Sequence, residues 1–289
     1  MAMHGHKSSY AIFRKRRANR FFVWPRIIHQ LIHRYSTALC RFTKVRYRFI
    51  KRARFKIMRL FVFSFFKLWI DRVDGTHNIP TRGPVIFVSN HLSYYDFLVF
   101  GAILRNYIVF LAQKKIRKTF LISWFAKLHN VIYVDKDYPG YSFFKELIRN
   151  LEARKQLVIY PEGSRSRTGK MLKPKIGFIK LAMKTNVPII PVAMKGTYEI
   201  LPPQKRIPRL RRCNVIIGKK IYISPDNPEF TDIFAKQSIG KRFMNLSDEG
   251  LQEIAVRIMD NIRVLAEEEW DDSVAVQMRN LTKLAARKI

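Results

Sequence analysis

From residue 85 to residue 217 the chain repeats one texture: a short apolar, β-branched run, a few turn residues, then a segment with helical spacing. The runs Val85–Ser89, Tyr107–Leu111, Val131–Val134, Gln156–Tyr160, Pro188–Met194 and Asn214–Ile217 read as buried strands. Tyr141–Ala153 and Ile176–Lys184 carry helical patterns between them, and Ser247 is placed to cap a C-terminal helix bearing Leu251, Ile254, Ile258, Ile262 and Leu265. Strands alternating with helices predict an α/β fold, a layered, largely parallel (mixed) sheet flanked by helices. Ligands on such sheets gather beyond the carboxyl ends of the strands, so the loops that follow strands are where chemistry is expected.

The 289 residues hold more than this core needs. Fifty-five Lys and Arg against 21 Asp and Glu leave a charge of +34, and the imbalance is steepest at the start. Residues 1–70 contain 18 basic residues and no acid, the first carboxylate being Asp71. The expected organisation is a basic arm over 1–70 and a catalytic-type domain over 71–289. Within the arm, Ile28, Leu31, Tyr35, Ala38, Phe42, Val45 and Phe49 recur at steps of three and four, while Arg34, Arg41 and Arg48 repeat every seven on another face. An apolar, aromatic face opposed to a basic one fits a helix lying in an anionic membrane interface. A solvated charge run, a stripe packed on the protein's own body, an organelle transit segment and a nucleic-acid-binding arm are the competing readings. No nucleic-acid partner is expected, because no helix-turn-helix, zinc-finger or RNA-recognition signature accompanies the charge. The longest apolar run of the arm, Leu60–Phe66, spans only about 10 Å as a helix, and the stretch from Phe97 to Ala112 is interrupted by Arg105 and Asn106. Peripheral or monotopic attachment at a cytoplasmic membrane face is therefore expected rather than a spanning helix. Two cysteines, Cys40 and Cys213, form no disulfide framework.

Two loops carry chemistry. The first, Ser89-Asn-His-Leu-Ser-Tyr-Tyr-Asp96, follows a strand. On one continuous helix His91 and Asp96 would lie roughly 140° apart and could not meet. At a strand-to-helix junction the carboxylate can fold back on the imidazole, fix its tautomer and prepare it to take a proton from a hydroxyl. The same residues also fit a capping box, with Ser93 capping the next helix and Asp96 returning the bond. The segment offers too few ligands for a metal. The second loop, Tyr160-Pro-Glu-Gly-Ser-Arg-Ser-Arg167, combines Gly163, which permits close backbone approach, the Ser164 hydroxyl, and guanidinium forks at Arg165 and Arg167 that suit phosphate oxygens. No nucleophile-elbow pattern surrounds Ser164 or Ser166, and Cys213 has no histidine near it in sequence.

These loops, in this order, resemble the motifs of the glycerophospholipid acyltransferase family: Asn90, His91 and Asp96 match its first, and Pro161 to Arg165 its third. Leu172 to Gly196 is similar to the block that follows, and Val131–Lys136 to the second motif, with Lys136 in place of arginine. Gln113 stands where a lysine is common, and Lys114 is the basic residue beside it. The resemblance spans about residues 75–220. It implies that His91 deprotonates the free hydroxyl of a lysophospholipid acceptor, with Asp96 orienting it. Glu162, Gly163 and Ser164 would shape the acceptor pocket, and Arg165 and Lys114 would bind its phosphate. Acyl-CoA or an acyl carrier protein would supply the thioester, with no metal or other cofactor. A 1-acylglycerol-3-phosphate acceptor would give phosphatidate. Glycerol-3-phosphate or another lysophospholipid are alternative acceptors, and a non-catalytic basic membrane or nucleic-acid binder is the alternative from a different class.

Overall fold

Val85–Ser89 forms a strand in which all five residues are buried, as continuous apolar character demands of the middle of a sheet covered on both faces. The computed structural model describes Ile57 and residues 68–104, 108–114, 130–134, 140–205, 207–236 and 246–278. Among these lie the strands β1 (Ile70–Asp74), β2 (Val85–Ser89), β3 (Ile108–Gln113), β4 (Asn130–Val134), β5 (Gln156–Ile159), β6 (Ile189–Lys195) and β7 (Cys213–Ile217). They form one sheet in the order β1-β7-β6-β2-β5-β3-β4. Pairing is parallel throughout except between β6 and β7. The sheet is thus mixed and largely parallel, and six of its strands begin within one or two residues of the positions expected from the apolar runs. β1 was not among them. Three of its five residues are charged and it is only partly buried, so an edge strand of this kind has no periodic signature.

The helices are α1 (Tyr95–Ile103), α2 (Tyr141–Glu152), α3 (Gly177–Thr185), α4 (Thr197–Ile200), α5 (Thr231–Lys236) and α6 (Asp248–Ala266). Side chains alternate across β2 and so sort the core into two layers. Val85 and Phe87 pack with Leu98 and Val99 of α1 on one face. Ile86 and Val88 pack with Leu147 of α2, Leu181 of α3 and Ile258 of α6 on the other. Each large side chain buried this way contributes roughly 1.5–3 kcal/mol from removal of apolar surface. Ser247 caps α6 as its sequence position predicts, its Oγ accepting from Gly250 N–H at 3.3 Å.

The chain divides into two units, Met1–Met58 and Arg59–Ile289, and every element above belongs to the second. The basic arm, with its apolar stripe, the run Leu60–Phe66 and Cys40, lies outside the described residues apart from Ile57 and its last three positions, as do Arg105, Asn106 and Lys136. Among the described residues no helix is long and apolar enough to cross a membrane. Cys213 is buried at the start of β7, where burial pushes its thiol up to about 12, so it holds no thiolate at neutral pH.

Candidate active site

β2 and β5 are parallel neighbours, with Val88 opposite Ile159, so the loops leaving their carboxyl ends open side by side. Two bonds tie these loops at His91: its N–H donates to Glu162 Oε1 at 2.8 Å, and its carbonyl accepts from Ser166 N–H at 2.9 Å. The histidine is therefore held by its backbone, whatever its ring does.

The ring meets Asp96. His91 Nδ1 lies 2.8 Å from Asp96 Oδ2, and the same oxygen accepts from Leu92 N–H and Ser93 N–H, both at 2.9 Å. Ser93 Oγ accepts from Tyr95 N–H at 3.0 Å. Capping and orienting are thus one arrangement: the carboxylate that closes the first turn of α1 also receives the imidazole. Asp96 is fully buried, whereas the His91 side chain keeps 17% of its surface exposed, so the pair is sealed on the acid side and open on the imidazole side. With Nδ1–H donated to the carboxylate, neutral His91 carries its free lone pair on Nε2. The ring also stacks on Tyr160, centroids 4.0 Å apart and planes at 19°.

His91 lines a cavity of about 670 Å³ whose lining mixes apolar and cationic side chains. Leu111, Val134, Phe144, Leu147, Phe178 and Leu181 are among its apolar side chains; Arg165, Arg167 and Lys175 bring positive charge and Asp271 a carboxyl group. Arg165 lies over the Tyr94 ring with its guanidinium carbon 3.3 Å from the centroid. Its Nη1 is buried without a protein hydrogen-bond partner, and burial lowers its pKa. A buried cationic donor with nothing to bond on the protein is suited to a bound anion. Gly163 turns the loop at φ +70°, and a Cβ there would come within 3.1 Å of the Lys175 side chain. Any substitution would strain the backbone and push that lysine.

Among the residues anticipated from sequence, His91, Gly163, Ser164 and Arg165 line this cavity and Asp96 supports it from behind. Glu162 does not line it. It is buried under the loop, its Oε2 accepting Leu172 N–H at 2.8 Å while Oε1 holds His91, so it joins the wall rather than facing the acceptor. Burial drives its pKa up to about 8, against the pull of those two N–H donors. Lys114 is exposed and is not part of the cavity lining. Lys114 falls one residue past the end of β3, whereas Gln113, the last residue of the strand, lines the cavity and donates to Gly163 O at 3.1 Å. Among the described residues the lysine of the cavity lining is Lys175, which follows the loop rather than β3. Sequence reasoning also missed Tyr94, Tyr160 and Asp271. The first two have ordinary aromatic-core character, and Asp271 is brought in from beyond α6 with no local motif to mark it.

A tied His–Asp pair at the carboxyl end of a parallel strand pair, beside a cationic turn, defines the class. The chain belongs to the acyltransferase family, whose model matches residues 71–195. It is 30% identical over 206 residues to human 1-acyl-sn-glycerol-3-phosphate acyltransferase alpha, covering 68% of this chain and 72% of that one. It is 31% identical over 168 residues to the sheep protein of the same name, covering 55% and 58%. The chain thus spans a little over half of the sheep relative's length. The solved structure of the 1-acyl-sn-glycerophosphate acyltransferase PlsC from Thermotoga maritima shares the fold, with a TM-score of 0.55 at 22% identity over 75% of this chain and 80% of that one.

Proposed function

We propose that this protein transfers a fatty acyl group from a thioester donor to the free hydroxyl of 1-acylglycerol-3-phosphate, giving phosphatidate. The observation that carries the reading is the 2.8 Å contact of His91 Nδ1 with buried Asp96 at the edge of a cavity lined by both apolar and cationic side chains. His91 Nε2 takes the proton of the acceptor hydroxyl as its oxygen attacks the thioester carbonyl. Asp96 stabilises the imidazolium that forms. The tetrahedral centre collapses with cleavage of the C–S bond, and the imidazolium returns the proton to the departing thiolate. Atoms and charge balance without a cofactor, because the thioester itself supplies the leaving group. Arg165, with Arg167 and Lys175, holds the acceptor phosphate, while the apolar side chains of the lining accept acyl chain. Acyl-CoA and acyl carrier protein present the same thioester to this site. The names of the relatives support the acceptor.

An acceptor panel tests it. Replacing Arg165 with alanine removes charge-assisted hydrogen bonds worth about 1.5–3 kcal/mol, so kcat/KM for lysophosphatidate falls about 10- to 100-fold. Acceptors without a phosphomonoester lose much less. Equal losses across the panel would remove the phosphate role, and a wild-type preference for glycerol-3-phosphate or for another lysophospholipid would reassign the acceptor.

The basic arm is proposed to hold the cavity at an anionic membrane surface, where lipid acceptor and product reside. Its 18 Lys and Arg without a single acid support this. With Arg34, Arg41 and Arg48 changed to glutamine in the full chain, flotation on phosphatidylserine-containing vesicles at about 0.1 M salt is expected to drop, since each cation near such a surface contributes about 1 kcal/mol. Undiminished flotation would contradict it.

A further inference from the structure

We propose that Glu268, on the segment that follows α6, is a positioning residue of the active site: through Asn90 it fixes the strand end that carries His91. The inference rests on the functional reading for its kinetic test but not for its geometry. Asn90 continues β2 by one residue and spends its whole side chain on position. Its Oδ1 accepts Met194 N–H at 2.9 Å, and its Nδ2 donates to Met194 O at 2.7 Å and to Glu268 Oε1 at 2.6 Å. The amide thereby docks the start of the catalytic loop on β6, beyond the last ladder pair, Ser89 with Val192. Removing Glu268 leaves one buried N–H of that amide without its partner and frees the side chain to rotate, one residue before His91.

The chain delivers Glu268 to this place by a defined turn. α6 ends at Glu267 in the left-handed conformation, φ 55°, and Arg263 Nη1 donates to Glu268 O at 3.2 Å. Residues 269–271 then pair with the loop beyond the third motif. Met171 N–H donates to Glu269 O at 2.7 Å, and Asp271 N–H donates to Met171 O at 2.8 Å. Met171 precedes Leu172, whose N–H holds Glu162. Both catalytic loops therefore lean on residues 268–271, which lie outside the 71–195 block that defines the family.

The surroundings of Glu268 favour a carboxylic acid over a carboxylate. Among the described residues no Lys or Arg pairs with its carboxyl group, and its Oε2 is buried without a hydrogen-bond partner. Glu162 from the loop after β5, Asp96 from α1 and Glu199 from α4 act on it, while the cations of the region are engaged elsewhere, Arg263 at its carbonyl and Lys195 with Glu267. Burial first, then the charge of Glu162, pushes its pKa up to about 9. An acid whose folded pKa is raised holds its proton from about pH 4.5 to about 9 only in the native state, so its contribution to stability falls as pH rises through that window. Glutamine keeps the accepting oxygen and cannot ionise.

The test uses the full chain purified in detergent. Glu268→Ala lowers kcat about 10- to 100-fold with KM for lysophosphatidate within about twofold, and Glu268→Gln recovers most of that loss. Glu267→Asn, at the neighbouring exposed position where asparagine tolerates the left-handed turn, keeps the wild-type rate. In an Asn90→Ala background Glu268→Ala adds little, because the group it acts through has gone. The Tm of Glu268→Gln relative to wild type rises as pH goes from 6 to 9. A loss confined to KM, a glutamine variant as poor as alanine, additivity with Asn90→Ala or a pH-independent Tm difference would each overturn the proposal. If Glu268→Ala does not fold, the glutamine variant's rate and its Tm profile decide in the same way. If wild type itself fails to acylate lysophosphatidate, the functional reading falls separately. Here the ring ¹⁵N signals of His91 carry the test: they shift in Glu268→Ala and return in Glu268→Gln, and signals unmoved by alanine would overturn it.

Discussion

His91→Ala is expected to cut turnover with lysophosphatidate by about 10²–10⁴-fold, the range a positioned general base contributes. The protein should remain folded. His91 is fixed through its backbone to Glu162 and Ser166, and Asp96 keeps two of its three donors when the ring is removed. What is lost is the stack on Tyr160 and a partly exposed imidazole, neither of which supports the core. Lysophosphatidate affinity should change little, because the cations of the lining proposed to hold the phosphate are Arg165, Arg167 and Lys175. The loss therefore appears in kcat rather than KM. Unchanged turnover in a folded His91→Ala protein would remove the general-base role altogether.

Asp96 predicts a different signature, because it has two jobs. Asp96→Ala abolishes at once the acceptor of two buried N–H groups and of the partly exposed His91 ring, and at about 1–3 kcal/mol for each buried unsatisfied group the fold itself should lose several kcal/mol. Asp96→Asn can still offer one oxygen to the backbone pair but carries no charge to stabilise the imidazolium. It should keep most of the stability while losing about 10²–10⁴-fold in kcat. Thermal unfolding and turnover measured together separate the two jobs. His91→Ala combined with Asp96→Asn should be scarcely worse than His91→Ala alone, since the pair acts as a unit. Multiplying losses would mean that Asp96 acts on the reaction by some route other than His91.

Much of this site is legible in the sequence because its two halves each follow a strand; that β2 and β5, separated in the chain by β3 and β4, pair in parallel and set those loops side by side is known only from the sheet order. The His91–Asp96 spacing is informative only at such a junction, and the capping-box reading was a true competitor: one oxygen of Asp96 does both. Legibility ended where placement depends on which way a side chain points or on distant chain. Lys114 and Lys175 are both lysines near a loop, and nothing in the local sequence marks the second rather than the first as a cavity residue. Glu162 reads as a pocket acid until its two oxygens are found occupied by His91 and Leu172 backbone. Glu268 carries no local motif at all, since its contact with Asn90 spans 178 positions of sequence. β1 was hidden by its charges, because an edge strand beside β7 needs few apolar side chains.

The most direct measurement of the central claim follows product and thiol together in the wild-type protein given oleoyl-CoA and lysophosphatidate. Phosphatidate and free CoA should appear one for one, with no CoA released before acceptor is added, because the acceptor oxygen attacks the thioester itself. A burst of CoA without acceptor, or acceptor turnover that survives removal of the His91 imidazole, would contradict direct attack assisted by that base.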